Sequence, residues 1–129
     1  MRRCLPDAIR QRRGVIADRT GRAAEALARA ALVTAGWAIL GERVRTLAGE
    51  LDLIAERDGL LAFIEVKARR SLHEAAHALT ERQQARLTGA AEAWLAAHPG
   101  HGTAGMRFDV MLVAADGTIR RITDALRQR

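Results

Sequence analysis

Gly49-Glu50-Leu51-Asp52-Leu53-Ile54-Ala55-Glu56-Arg57-Asp58-Gly59-Leu60-Leu61-Ala62-Phe63-Ile64-Glu65-Val66-Lys67-Ala68-Arg69 reads as two apolar strands around a turn. Asp-Gly between hydrophobic runs is a strong signal for a two-residue hairpin loop, because both central residues must take positive φ. With such a turn at Asp58-Gly59, Arg57 faces Leu60, and stepping outward sets Asp52 across from Glu65 and Glu50 across from Lys67. Side chains alternate along a strand, so Glu50 and Asp52 share one face, and Glu65, Lys67 and Arg69 share one face of the neighbour. In this register the charged groups converge.

Opposed carboxylates repel across a sheet, and desolvation makes the repulsion worse. A hard divalent cation bound through oxygen ligands compensates naturally, and Mg²⁺ takes only one or two protein carboxylates. Lys67 is the single lysine beside twenty arginines. Arginine is a wide fork that stays charged, whereas lysine is a compact ammonium whose pKa moves on burial. A lone lysine inside an apolar strand therefore suggests a need for an ammonium there, although genome base composition alone can also produce an arginine preference. Beside a metal ion, Lys67 would help to activate a water and stabilise charge on a phosphoryl transition state. The bland alternative is a solvated strand face with a Glu50–Lys67 ion pair and a half-hydrated Asp52. Spacing alone leaves both open.

Working outward, Ala24, Leu27, Ala28, Ala31, Leu32 and Ala35 recur at helical spacing and predict a helix over Thr20 to Ala35, with Gly36 as its left-handed cap. Trp37 to Arg45 reads as a strand, followed by strands over Glu50 to Arg57 and Leu60 to Arg69. Residues 70–79 connect to a helix over Thr80 to Ala97, which opens on the capping box Thr80-Glu81-Arg82-Gln83. Met106 to Ala115 is a fourth strand, and Asp116-Gly117 turns into a short edge strand over Thr118 to Thr123. The order predicts an α/β domain with a central mixed sheet flanked by helices. Residues 1–17 read as a flexible basic arm, and residues 18–129 as one domain.

A chain of 129 residues can bury one core. Its net charge of +6 and pI of about 11.3 favour a polyanionic partner. Cys4 is the only cysteine, which excludes a disulfide framework and a cysteine-based zinc site. The basic N-terminus lacks the apolar stretch of a signal peptide, and no segment is apolar enough to span a membrane. A cytoplasmic protein is expected.

Gly49 to Ala55, Phe63 to Arg69 and Arg107-Phe108-Asp109-Val110 together resemble the bacterial YraN-like family, a branch of the PD-(D/E)XK nuclease superfamily. The resemblance covers roughly residues 19–126 and implies a restriction-endonuclease-like αβββαβ core. It implies Asp52, Glu65 and the Val66 carbonyl as ligands of Mg²⁺ or Mn²⁺, and Lys67 as the catalytic lysine. Glu25 matches the superfamily's helical acid, and an i,i+4 pair with Arg29 is the alternative. Gln83 stands where the family often has lysine and is expected at phosphate, with the capping box as its alternative. Arg43 replaces an asparagine of the family's Asn-x-Arg motif. Arg45 matches the arginine, and Arg45 and Arg69 are expected to touch nucleic acid.

Other signals carry less. Gly100-His101-Gly102-Thr103-Ala104-Gly105 has a GxGxxG pattern, but it follows a helix and precedes a strand, the reverse of a dinucleotide site. His73 and His77 lack a third ligand nearby, and Asp109 reads as a structural buried acid. The expectation is a Mg²⁺-dependent nuclease acting on DNA, of repair or recombination (Holliday-junction-resolvase-like) type, with a homodimer left open. A non-catalytic nucleic-acid-binding protein is the principal rival, and a protein-interaction module the third class.

Overall fold

A computed structural model describes residues 7–71 and 79–126 of the chain. Helix α1 spans Asp7–Thr34, and strands β1 (Ala38–Thr46), β2 (Gly49–Arg57) and β3 (Leu60–Arg69) follow. Helix α2 is Glu81–Ala97, and β4 (Gly105–Ala114) and β5 (Ile119–Ile122) complete the order. This is an αβββαβ core with one added edge strand. The strands form a single mixed sheet in the order β1-β2-β3-β4-β5. Among the described residues, only β3 and β4 pair in parallel. A parallel pair needs a crossover, and α2 supplies it.

The two helices cover opposite faces. Ala24, Ala28 and Leu32 form a stripe on α1 that packs with Leu53, Ala55, Ala62, Ile64, Met111 and Val113. The small Ala24 and Ala28 let α1 lie close to the sheet, and Ala28 is wholly buried. Leu87, Ala90, Ala91 and Trp94 of α2 pack on the other face with Leu51, Ile54, Leu61, Phe63, Val110 and Leu112. There Trp94 meets Phe63 edge-on, with ring centroids 5.9 Å apart.

Local signals place the element ends. α1 stops in a Schellman motif: Trp37 N–H donates to Leu32 O at 2.9 Å and Gly36 N–H to Val33 O at 3.0 Å. Gly36 takes the required positive φ of 88°. The Thr80–Gln83 capping box is formed in both directions. Asp58 and Gly59 have φ of 53° and 77°, the primed turn expected of Asp-Gly. The N-terminus departs from expectation, because α1 begins at Asp7 rather than near Thr20, so the segment read as a flexible arm is helical from Asp7 onward. Residues 1–6, and the histidines at 73 and 77, lie outside the described residues. No helix among the described residues is long and apolar enough to cross a membrane.

Candidate functional site

The β2–β3 ladder starts in the expected register, from Arg57–Leu60 to Leu53–Ile64, and ends there. β3 continues beside β4 as far as Arg69, opposite Ala114. β2 continues beside β1 down to Gly49, opposite Thr46. The two central strands therefore part at Asp52 and Glu65. This corrects the direct Asp52–Glu65 and Glu50–Lys67 pairings inferred from the turn. Asp52 instead spans the notch with its side chain, and Val66 N–H donates to its Oδ2 at 2.9 Å.

Strand alternation also slips at Asp52. Leu51 and Leu53 would share a face in a regular strand, yet Leu51 packs under α2 and Leu53 under α1. On β1, Glu42 and Val44 keep partners at Leu53 and Leu51, while Arg43 between them takes φ of 48°. Arg43 and Asp52 thus leave the ladder at the same level. A left-handed backbone is costly for arginine and least so for asparagine among residues with a side chain. That cost explains physically why asparagine suits this position in the resembled motif.

β3 keeps its alternation. Phe63 faces α2 and Ile64, Val66 and Ala68 face α1. Glu65, Lys67 and Arg69 accordingly point to the α2 side. Arg86 of α2 reaches Glu65 there, with Nη2 3.4 Å from Oε1. Across the notch, Glu25 of α1 accepts from Arg43 Nε at 2.7 Å. Arg29, its expected helical partner, reaches Glu42 Oε1 at 2.9 Å.

Desolvation dominates the electrostatics of the acid pair. Burial pushes the Glu65 carboxyl up to about 7, the Asp52 carboxylate pushes the same way, and Arg86 and Lys67 offset part of the rise. Asp52 is also raised, first by burial, against the Val66 N–H bond that favours its charged form. Glu25 and Glu50 raise it further, and Arg86 opposes them. Two desolvated acids, one of which hinders the other's ionisation, suit a hard cation. Among the described residues, however, no three His, Cys, Asp or Glu side chains close into a metal cluster. The acids that fit Mg²⁺ or Mn²⁺ are Asp52 and Glu65.

The structure thus brings Asp52, Glu65, Val66 and Lys67 to the notch, with Glu25 within electrostatic reach of Asp52. The outer residues stand apart. Arg45 extends into solvent with Nε 3.7 Å from Glu50 Oε2. Arg69 is exposed and donates to the Ala68 carbonyl at 2.7 Å. Gln83 spends its amide oxygen on Thr80 N–H at 2.9 Å, so the cap accounts for it. Arg86 was missed from sequence. It follows Gln83 by one helical turn and borders the apolar stripe of α2, a position from which a long side chain can reach the sheet.

Residues 24–113, which include every one of these acids and Lys67, match the family described as "Uncharacterised protein family UPF0102". The chain belongs to the UPF0102 family. It is 57% identical over 115 residues to a UPF0102 protein of Granulibacter bethesdensis, covering 89% of this chain and 73% of that one. A UPF0102 protein of a Bradyrhizobium species is 53% identical over 111 residues, covering 86% and 79%. One from Rhodopseudomonas palustris is 48% identical, covering 86% and 85%. UPF0102 is the family that the three strand motifs resemble, and its match spans all the residues of the notch.

Proposed function

We propose that this UPF0102 protein is a metal-dependent nuclease of PD-(D/E)XK type that hydrolyses phosphodiester bonds of DNA in the cytoplasm, in repair or recombination. The observation that carries this reading is the parting of β2 and β3, which sets two half-buried acids, Asp52 and Glu65, beside Lys67. Asp52, Glu65 and the Val66 carbonyl would hold Mg²⁺ or Mn²⁺. A bound divalent ion supplies Lewis acidity and lowers the pKa of water.

The protein's own groups do the rest. Water oxygen attacks phosphorus, the P–O bond to one sugar oxygen breaks, and a proton passes from the water to solvent or to the leaving oxygen. Asp52, fixed by the Val66 N–H, and Glu65 orient the reacting centre. The Lys67 ammonium stabilises charge that grows on the phosphoryl oxygens, an interaction strongest in the transition state. The net charge of +6 draws the polyanion in.

A non-catalytic nucleic-acid binder is the second reading. The two-acid site favours it, since no third acidic or histidine ligand closes the cluster among the described residues. Purified protein incubated with branched, single-stranded and duplex DNA, with Mg²⁺ or Mn²⁺, separates the two. The nuclease reading expects metal-dependent cleavage that Lys67→Arg lowers by about 10²-fold or more, because the wide guanidinium cannot replace the compact ammonium. Absence of cleavage of every substrate by wild type, with DNA binding retained, would establish the binder instead.

A further inference from the structure

Arg86 has no part in the roles assigned above, yet it touches Glu65 of the acid pair. Its Nη2 stands 3.4 Å from Glu65 Oε1, longer than the usual charge-assisted bond of about 2.7–2.9 Å. The arginine side chain is 44% exposed while that of Glu65 is 14% exposed, so Arg86 reaches the acid from the solvent side. It acts electrostatically on both Asp52 and Glu65.

The approach of Arg86 is built into the neighbouring turn. A Cβ at Gly49 would sit 2.5 Å from Arg86 Cγ and 3.0 Å from Cδ. A Cβ at Gly89, one helical turn further along α2, would sit 3.0 Å from the Ala48 Cβ. The β1–β2 turn therefore lies flat on α2, and the absence of a side chain at Gly49 opens the path along which Arg86 reaches Glu65. The glycine that begins Gly49-Glu50-Leu51-Asp52 thus serves a residue on another element.

We propose that Arg86 is the counter-ion of the metal-free site: it neutralises the Asp52–Glu65 pair, gives up that place when a divalent cation binds, and then offers its guanidinium to a backbone phosphate of the nucleic acid. This rests on the two acids being the metal ligands, as in the reading above. A guanidinium and a divalent ion cannot both neutralise the same carboxylate at full strength, so the two compete. Once displaced, Arg86 remains at the edge of the notch on a long stem, and its planar fork matches a phosphodiester in two hydrogen bonds. One residue would thereby keep the empty site from repelling itself and couple metal loading to nucleic-acid binding.

Titration calorimetry with Mn²⁺ alone, on wild type, Arg86→Ala and Gly49→Ala, reads the competition without turnover. Arg86→Ala should bind Mn²⁺ about fivefold more tightly than wild type, the effect of removing one partly exposed competing charge. Gly49→Ala, which crowds the arginine stem, should shift affinity the same way. The second arm measures duplex DNA binding with EDTA and with Ca²⁺. Arg86→Ala should weaken binding several-fold in Ca²⁺ and much less in EDTA, where Arg86 is held by Glu65. Mn²⁺ bound no more tightly by Arg86→Ala than by wild type, or an equal loss of DNA affinity with and without Ca²⁺, would overturn the counter-ion role and leave the nuclease reading standing. No Mn²⁺ binding by any of the three proteins would remove both.

Discussion

At the scale of single residues, Glu65 gives the site a measurable pH signature. Burial, helped by the Asp52 carboxylate, pushes its carboxyl up to about 7 in the folded protein, from an ordinary value of 4.5. Between those values the folded chain holds a proton that the unfolded chain has released. Stability conferred by the protonated form is complete below about 4.5 and is lost as pH rises through about 7. Asp52, also raised, adds to the loss in the same direction. In EDTA, urea unfolding should show a loss on the order of 1–3 kcal/mol between pH 5 and pH 8. Glu65→Gln keeps the shape and removes the charge, so it should flatten most of that fall. Mn²⁺ should restore stability at pH 8 in wild type and much less in Glu65→Gln. An unchanged pH slope in Glu65→Gln would show that the strain lies elsewhere. Of the residues around this acid, Asp52 and Lys67 were legible because they stand in short strand motifs, whereas Glu25 was singled out only through the family resemblance. Arg86 and the Arg43–Glu25 bond were not legible, since both join side chains from different elements at distances that a sequence does not encode locally.

At the scale of elements, turns and caps obey local rules and can be tested locally. Gly59 holds φ of 77° at the β2–β3 turn, and a Cβ there would lie 2.8 Å from Thr103 Oγ1. Gly59→Ala should cost about 1–3 kcal/mol of unfolding free energy through backbone strain and that clash. Thr80→Ala removes the hydroxyl that accepts from Gln83 N–H at 3.1 Å and should cost about 1 kcal/mol. Chemical denaturation of the two variants checks both, and a Gly59→Ala protein as stable as wild type would contradict the turn geometry. The same local rules explain which parts of the sheet could be read in advance. The hairpin register follows from two residues, Asp58 and Gly59, and holds as far as Leu53–Ile64. It fails beyond that point for a non-local reason. β3 remains bonded to β4 through Ala114, β2 follows β1 through Gly49, and the two strands cannot keep pairing as their neighbours draw them apart. The slip that sends Leu51 to one core and Leu53 to the other is invisible in a pattern of alternating apolar residues. It is nevertheless what turns Asp52 from a ladder residue into a side chain spanning a gap.

At the scale of the whole molecule, the sheet is a partition. The two cores lie on opposite faces, and Asp109 is the buried acid on the α1 face of β4. Three elements converge on it. Arg107 of β4 approaches Oδ1 to 3.0 Å, and Arg121 of β5 binds Oδ2 through Nη2 at 2.6 Å. The backbone N–H of Asp124, beyond β5, donates to Oδ1 at 3.0 Å. Both guanidiniums also lie over the Trp37 ring, at 5.4 Å and 4.8 Å from its centroid, and Trp37 packs in the α1-side core. Asp109 therefore fastens the edge strand β5 and the segment after it to the sheet, and it shares no contact with the notch acids among these bonds. Asp109→Ala would strand two partly buried arginines and one backbone donor, so unfolding free energy should fall by about 3–5 kcal/mol, the usual cost of breaking a buried pair from one side. Asp109→Asn keeps the size and one acceptor and should cost less. Because Asp109 faces α1 on β4 while Glu65 faces α2 on β3, the affinity of folded Asp109→Asn for Mn²⁺ should stay within about twofold of wild type, as independent sites add. Urea titration and metal calorimetry on the same preparation measure both quantities. A large loss of Mn²⁺ affinity in protein that remains folded would mean that the sheet does not insulate the two acid clusters, and that Asp109 belongs to the site.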